Sequence, residues 1–127
     1  MFDLRDNVIM ISGAVGNVGR AVATAFTELG ARLVLLDRSM DRLRAAYPKL
    51  ADSGGHLLVG AAAVVVRRFG RIDALIDTVG AFRGGPSAHK QALEDWQAMW
   101  NANVGTVLNA SRAVVPVMLR QKAGRIV

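Results

Sequence analysis

The residues best equipped for chemistry lie near the start of the chain. Ser12-Gly13-Ala14-Val15-Gly16-Asn17-Val18-Gly19 places glycines at every third position between an apolar run and a helical pattern. Residues without side-chain bulk let the main chain approach a phosphate. The N–H groups and dipole of the following helix then attract the anion, and Gly19 suits close packing of that helix on the strand before it. The spacing is Gly-x-x-Gly-x-x-Gly, not the Gly-x-Gly-x-x-Gly of the standard dinucleotide fingerprint, and a plain tight turn is the alternative. Asp37 stands 24 residues after Gly13 and 18 after Gly19. A carboxylate there accepts hydrogen bonds from an adenosine ribose, although an Asp leaving a strand also starts turns unaided. Loop and carboxylate together point to a dinucleotide. The acid favours NAD by repelling a 2′-phosphate, and Arg38 beside it keeps NADP as the lesser alternative.

No second constellation competes. Tyr47 is the only tyrosine, and Ala51, not lysine, follows four residues later. A tyrosine base needs a nearby cation to bring its pKa toward neutrality. Lys49 is two residues away, and Tyr47 reads as packing in the helix after the second strand. His56 and His89 lack metal-ligand spacing and read as surface or loop histidines, so no metal is expected. The chain has no cysteine, which excludes a disulfide scaffold, a thiolate zinc site and a cysteine nucleophile.

The elements that must position these residues alternate. Asn7–Ile11 reads as a strand buried on both faces, and Val18–Leu29 as a helix stopped by Gly30. Leu33–Leu36 is a second strand ending at Asp37. A helix follows from about Met40 to Tyr47 and is ended by Pro48. Ser53-Gly54-Gly55 is a turn, His56–Val59 a third strand and Ala61–Phe69 a helix. Ala74-Leu75-Ile76 begins a fourth strand, and Gly80 to Gln91 forms a loop. Two helices follow, around Leu93–Trp100 and from about Val104 to Arg120, before a fifth strand at Arg125-Ile126-Val127. Trp96 and Trp100 share a helix face, and at least one is expected to pack on the sheet. The alternation predicts an α/β fold, a doubly wound parallel sheet in three layers, α/β/α.

Composition sets the bounds. A length of 127 residues with 52% hydrophobic and 20% charged residues is one globular domain. The longest nearly apolar run, Leu57 to Val66, includes Gly60 and is about half a membrane span. Asp3, Arg5 and Asp6 precede any apolar stretch, unlike a signal peptide. A cytoplasmic protein without a membrane partner is the expectation. The net charge of +6 invites a nucleic-acid reading. The arginines, however, form no run longer than Arg67-Arg68 and no basic segment interleaves with aromatics, so nucleic acid is not an expected partner.

These motifs together resemble the short-chain dehydrogenase/reductase family over nearly the whole chain. Ser12 to Gly19 is similar to its Thr-Gly-x-x-x-Gly-x-Gly loop, with Asn17 where the middle glycine usually stands. Phe69-Gly70-Arg71-Ile72-Asp73-Ala74-Leu75-Ile76 resembles the lead into its fourth strand, and Asp77-Thr78-Val79-Gly80 its Asn-Asn-Ala-Gly motif. Asn103-Val104-Gly105-Thr106 and Gly124-Arg125-Ile126-Val127 match in type and spacing. The resemblance implies a Rossmann fold that transfers hydride between a nicotinamide and an alcohol or carbonyl substrate, with a tyrosinate taking the alcohol proton. It implies that Asn103 is the asparagine of the catalytic tetrad, holding a water in the relay to the active-site lysine. A helix-embedded asparagine bridging a kink is the alternative. Gly13, Gly16, Asn17 and Val18 would line the pyrophosphate, Asp37 and Arg38 the adenosine ribose, and Val79 and Gly80 the far ribose, with Ser12, Gly19 and Asp77 counted among the cofactor-binding residues. The Gly84-Gly85-Pro86-Ser87 loop would lie toward the substrate. A homodimer or homotetramer through a four-helix interface is also implied.

The chain departs from the family at three places. Asp77 puts a carboxylate where an amide ties neighbouring strands. Fourteen residues separate Val59 from Ala74, and Gly60 runs directly into Ala61, where the family has an adenine-recognising aspartate and a longer helix. The family's serine and Tyr-x-x-x-Lys lie beyond the fifth strand. The expectation is one dinucleotide-binding domain over residues 1–127, lacking a C-terminal catalytic part and a stretch near 60–61. The competing expectation is a short, non-catalytic or degenerate dinucleotide-binding module.

Overall fold

The computed structural model describes residues 3–51, 55–58 and 62–127. Among the described residues, five strands, β1 (Val8–Ser12), β2 (Arg32–Leu36), β3 (Leu57–Leu58), β4 (Ala74–Asp77) and β5 (Arg125–Ile126), form one sheet in the order β3-β2-β1-β4-β5. Every pairing is parallel. Central β1 is buried along its whole length, and its side chains alternate between two cores. Ile9 and Ile11 join Leu33 and Leu35 beneath α1 (Asn17–Glu28) and α2 (Met40–Ala46), in a core that includes Ala23 and Leu43. Val8 and Met10 join Val34 and Leu75 on the other face, against α4 (Ala62–Phe69) and α6 (Thr106–Gln121) through Val65, Val114, Val117 and Met118. Helices therefore cover both faces, the doubly wound α/β/α arrangement the alternation predicts.

The elements differ from expectation in instructive places. β1 runs on to Ser12 and β4 to Asp77, because the two residues face each other across the sheet. Pro48 ends α2 and also opens α3 (Pro48–Ala51), since its missing N–H and fixed φ suit the first position of a helix. The helices expected at Leu93–Trp100 and Val104–Arg120 are joined: α5 (Leu93–Trp100) passes through a wide turn over Asn101–Gly105 straight into α6. Helical dihedrals persist at Trp100, Asn101 and Thr106, so no break occurs. Trp96 and Trp100 are 52% and 59% exposed, so neither packs on the sheet as expected. α5 buries no residue, and its apolar side faces outward. The expected turn residues Ser53 and Gly54, strand residue Val59 and the Gly60–Ala61 junction lie outside the described residues. Among the described residues, no helix is long and apolar enough to cross a membrane.

Candidate functional site

A cleft of about 630 Å³ runs across the C-terminal ends of β2, β1 and β4, roofed on one side by the α5–α6 helix. Of the residues singled out from the sequence, Ser12, Gly13, Gly16, Asp37, Arg38, Val79 and Gly80 line it. Asn17, Val18, Gly19, Asp77 and Asn103 are not among the residues that line it. The position matches the rule that open α/β sheets bind ligands at the carboxyl ends of their strands where the strand order reverses.

The glycine loop shapes the centre of the cleft. Gly13 has φ +69°, and a Cβ there would sit 3.0 Å from both Thr78 Oγ1 and the Val79 nitrogen. Gly19 is buried in the first turn of α1, and a Cβ on it would lie 2.8 Å from Ala14 Cα and closer still to the Gly13 carbonyl. The close-packing role expected of Gly19 is therefore met by main-chain atoms. Gly16 precedes the helix with no side-chain cap, and the first turn holds no acidic residue. The N–H groups of Asn17, Val18 and Gly19 thus start the helix without intrahelical acceptors and with the positive dipole end uncompensated. That donor set is suited to a phosphate. Arg20 Nε donates to the Val15 carbonyl at 3.0 Å and braces the loop.

At the β2 end, Asp37 Oδ1 accepts the Ser39 N–H at 3.4 Å. It therefore starts the turn into α2 and still has lone pairs facing the cleft. Arg38 and Arg42 line the same end. Arg42 was not anticipated. It sits on the first turn of α2, just beyond the Ser39 cap.

At the β4 end, Asp77 Oδ1 accepts from the Ser12 hydroxyl and, at 3.2 Å, from the Val79 N–H. The carboxylate ties β1 to β4, the task expected of an amide at this place, using acceptors alone. Thr78 Oγ1 donates to the Ser12 carbonyl at 2.7 Å, and its N–H reaches the same oxygen at 3.1 Å. Asn103 lies within the wide turn. Its Nδ2 donates to Ala81 O at 2.9 Å and Met99 O at 2.8 Å, while Oδ1 accepts the Ala81 N–H at 3.1 Å. One amide hydrogen and the amide oxygen thus hold the strand exit at Ala81 against the helix, while the other hydrogen returns to the main chain of the helix itself. Beyond it, Arg83 pairs with Asp95 of α5 at 2.7 Å, pinning the entry to the Gly84–Ser87 loop.

Thr78, Ala98, Asn101, Ala102 and Thr106 also line the cleft and were missed. Their signal was present: small and short polar residues at 98, 101, 102 and 106 repeat at helical spacing and leave room beside one helix face. Tyr47 packs beneath α1 and donates its hydroxyl proton to Ala14 O. Burial pushes its pKa up, with a smaller opposing pull from Arg20 and a rise from Asp37, the opposite of what a tyrosine base requires. His56 Nδ1 accepts the Leu33 N–H of β2 at 3.0 Å, and burial lowers its pKa.

Comparison with known proteins gives a consistent result. The family description "short chain dehydrogenase" matches residues 7–127. An uncharacterized oxidoreductase of Listeria innocua is 31% identical over 137 positions, covering 98% of this chain and 54% of that protein. A 3-oxoacyl-[acyl-carrier-protein] reductase of Thermotoga maritima is 29% identical, covering 98% and 55%. The solved structure of a metagenomic short-chain oxidoreductase in complex with NADP superposes with a TM-score of 0.83 at 28% identity, covering 97% of this chain and 61% of that one. The chain spans about half the length of the curated relatives it matches.

Proposed function

The chain belongs to the short-chain dehydrogenase family, and from that premise we propose that it is the dinucleotide-binding part of a nicotinamide-dependent oxidoreductase acting on an alcohol or carbonyl substrate. The observation that carries this reading is one cleft spanning three strand ends, with an uncapped helix N-terminus at its centre and Asp37 at one end. The residues fit such a cofactor by the chemistry of their donors: free N–H groups for the phosphates and a carboxylate for ribose hydroxyls. Asn17, Val18 and Gly19 hold the pyrophosphate through the main chain. Asp37 accepts from the adenosine ribose, and Val79 and Gly80 border the far nucleoside. When bound, the nicotinamide supplies or accepts the hydride. Asn103 fixes Ala81 against the α5–α6 helix and so sets the wall beside the reacting end, and we assign it to the catalytic group on family grounds.

NAD is the preferred form in this reading, because the Asp37 carboxylate repels a 2′-phosphate. Arg38 and Arg42 flank it, and the NADP complex of the metagenomic relative makes NADP the comparison to run. Titrating the purified chain with NADH and NADPH, followed by nucleotide fluorescence, tests both points. NADH should bind more tightly, and Asp37→Ala should weaken it about tenfold, the worth of a hydrogen bond to a charged group. Absence of binding at millimolar nucleotide overturns the proposal.

A homodimer or homotetramer is part of the same reading. Leu93, Trp96, Trp100, Val104 and Leu108 recur at spacings of three and four along α5–α6, and all are exposed. A contiguous apolar stripe of this kind marks an interaction surface.

A further inference from the structure

We infer that the Asp77 carboxylate biases this site toward the oxidised, cationic form of the nicotinamide. The inference rests on the dinucleotide reading and adds a preferred redox state to it. The sheet order β2-β1-β4 sets the layout. With the adenosine ribose at Asp37 on β2 and the phosphates over β1 at the start of α1, the far nucleoside must fall toward the end of β4. Asp77 closes β4. Its Oδ1 holds the Ser12 hydroxyl and the Val79 N–H, both from residues that line the cleft.

An amide oxygen at the same place would accept the same two donors. What the carboxylate adds is a negative charge, and among the described residues no cation is ion-paired with it. When the ring accepts a hydride, its charge falls from +1 to zero while the phosphates and riboses are unchanged. A nearby anion therefore favours the oxidised form, and the ratio of the two affinities isolates that effect from everything else the loop does.

Dissociation constants for NAD⁺ and NADH, measured by calorimetry on the purified chain and on Asp77→Asn at low ionic strength, provide the test. The preference for NAD⁺ over NADH should fall about three- to tenfold in the variant, the range expected for one charge acting through a partly solvated site. In the unaltered chain, raising the salt to about 0.5 M should move the ratio in the same direction by screening. This second measurement decides the matter if the variant does not fold. Equal ratios in the two proteins, or a ratio indifferent to salt, overturn the inference while leaving the dinucleotide site standing. Failure of the unaltered chain to bind either nucleotide overturns both.

Discussion

Replacing Gly19 by alanine sets two effects of opposite sign against each other. In a helix interior, alanine is favoured over glycine by about 0.5–1 kcal/mol because the unfolded chain loses less entropy. Here the added methyl would stand 2.8 Å from Ala14 Cα and nearer still to the Gly13 carbonyl. Those are main-chain atoms of the glycine loop and cannot rotate aside, so α1 itself must move. Overpacking costs about 1–3 kcal/mol, and a clash with fixed main-chain atoms belongs in the upper half of that range, leaving a net loss of about 1–2 kcal/mol. With a urea m-value of about 2 kcal/mol/M, the unfolding midpoint should fall by about 0.5–1 M, read by circular dichroism at 222 nm. The shift of α1 also displaces the N–H groups of Asn17 and Val18, so NADH affinity should drop at least about tenfold. Gly70→Ala separates clash from strain. Gly70 has φ +77°, and a Cβ added there would meet nothing within 4 Å, so it should lose about 1–2 kcal/mol from conformation alone and bind NADH normally. An unchanged or raised midpoint for Gly19→Ala, with NADH binding retained, would refute the packing argument.

Other outcomes are expected. Asn103→Leu removes three hydrogen bonds at an exposed site and should cost about 1–2 kcal/mol; limited proteolysis should then cut faster between residues 81 and 87. His56 has a folded-state pKa below its unfolded value of 6.5, so the unfolded state binds the proton more readily. Its stabilising bond to Leu33 is fully present above that value and is lost as pH falls through the lower folded pKa. Melting temperature should therefore decline below about pH 6.5, and His56→Gln should flatten that slope before the carboxylates titrate. Trp100→Glu places a charge within the exposed stripe of α5 and should convert a dimer or tetramer to monomer by light scattering without lowering helix content.

The site was legible where it depends on local rules. Glycines between a strand and a helix, and an acid at the end of the next strand, follow from what a tight turn and a phosphate require, and both lie along the cleft. Thr106 was readable in principle, since helical spacing places it beside Asn103, whereas Arg42 lies across the extended Ser39 cap from Asp37 and Arg38 and had no such signal. Trp96 and Trp100 misled because an apolar stripe on a helix is the same signal whether it faces a sheet or another chain. Pro48 signals a stop and a start alike, since both uses follow from the same missing N–H, and only the stop was evident from its neighbours.

Periodicity and residue type by themselves determined the parallel α/β/α sheet, the glycine loop between β1 and α1, and Asp37 at the end of β2, because each follows from neighbours in sequence. The tertiary structure decided the rest. Ser12 and Asp77 are 65 residues apart, Tyr47 and Ala14 are 33, and Asn103 and Ala81 are 22. No local rule specifies whether such residues meet. The order β3-β2-β1-β4-β5 brings them within reach, and at that range a single proton or lone pair fixes what each side chain does. The carboxylate that looked out of place at Asp77 is, in the folded chain, the acceptor that ties β1 to β4.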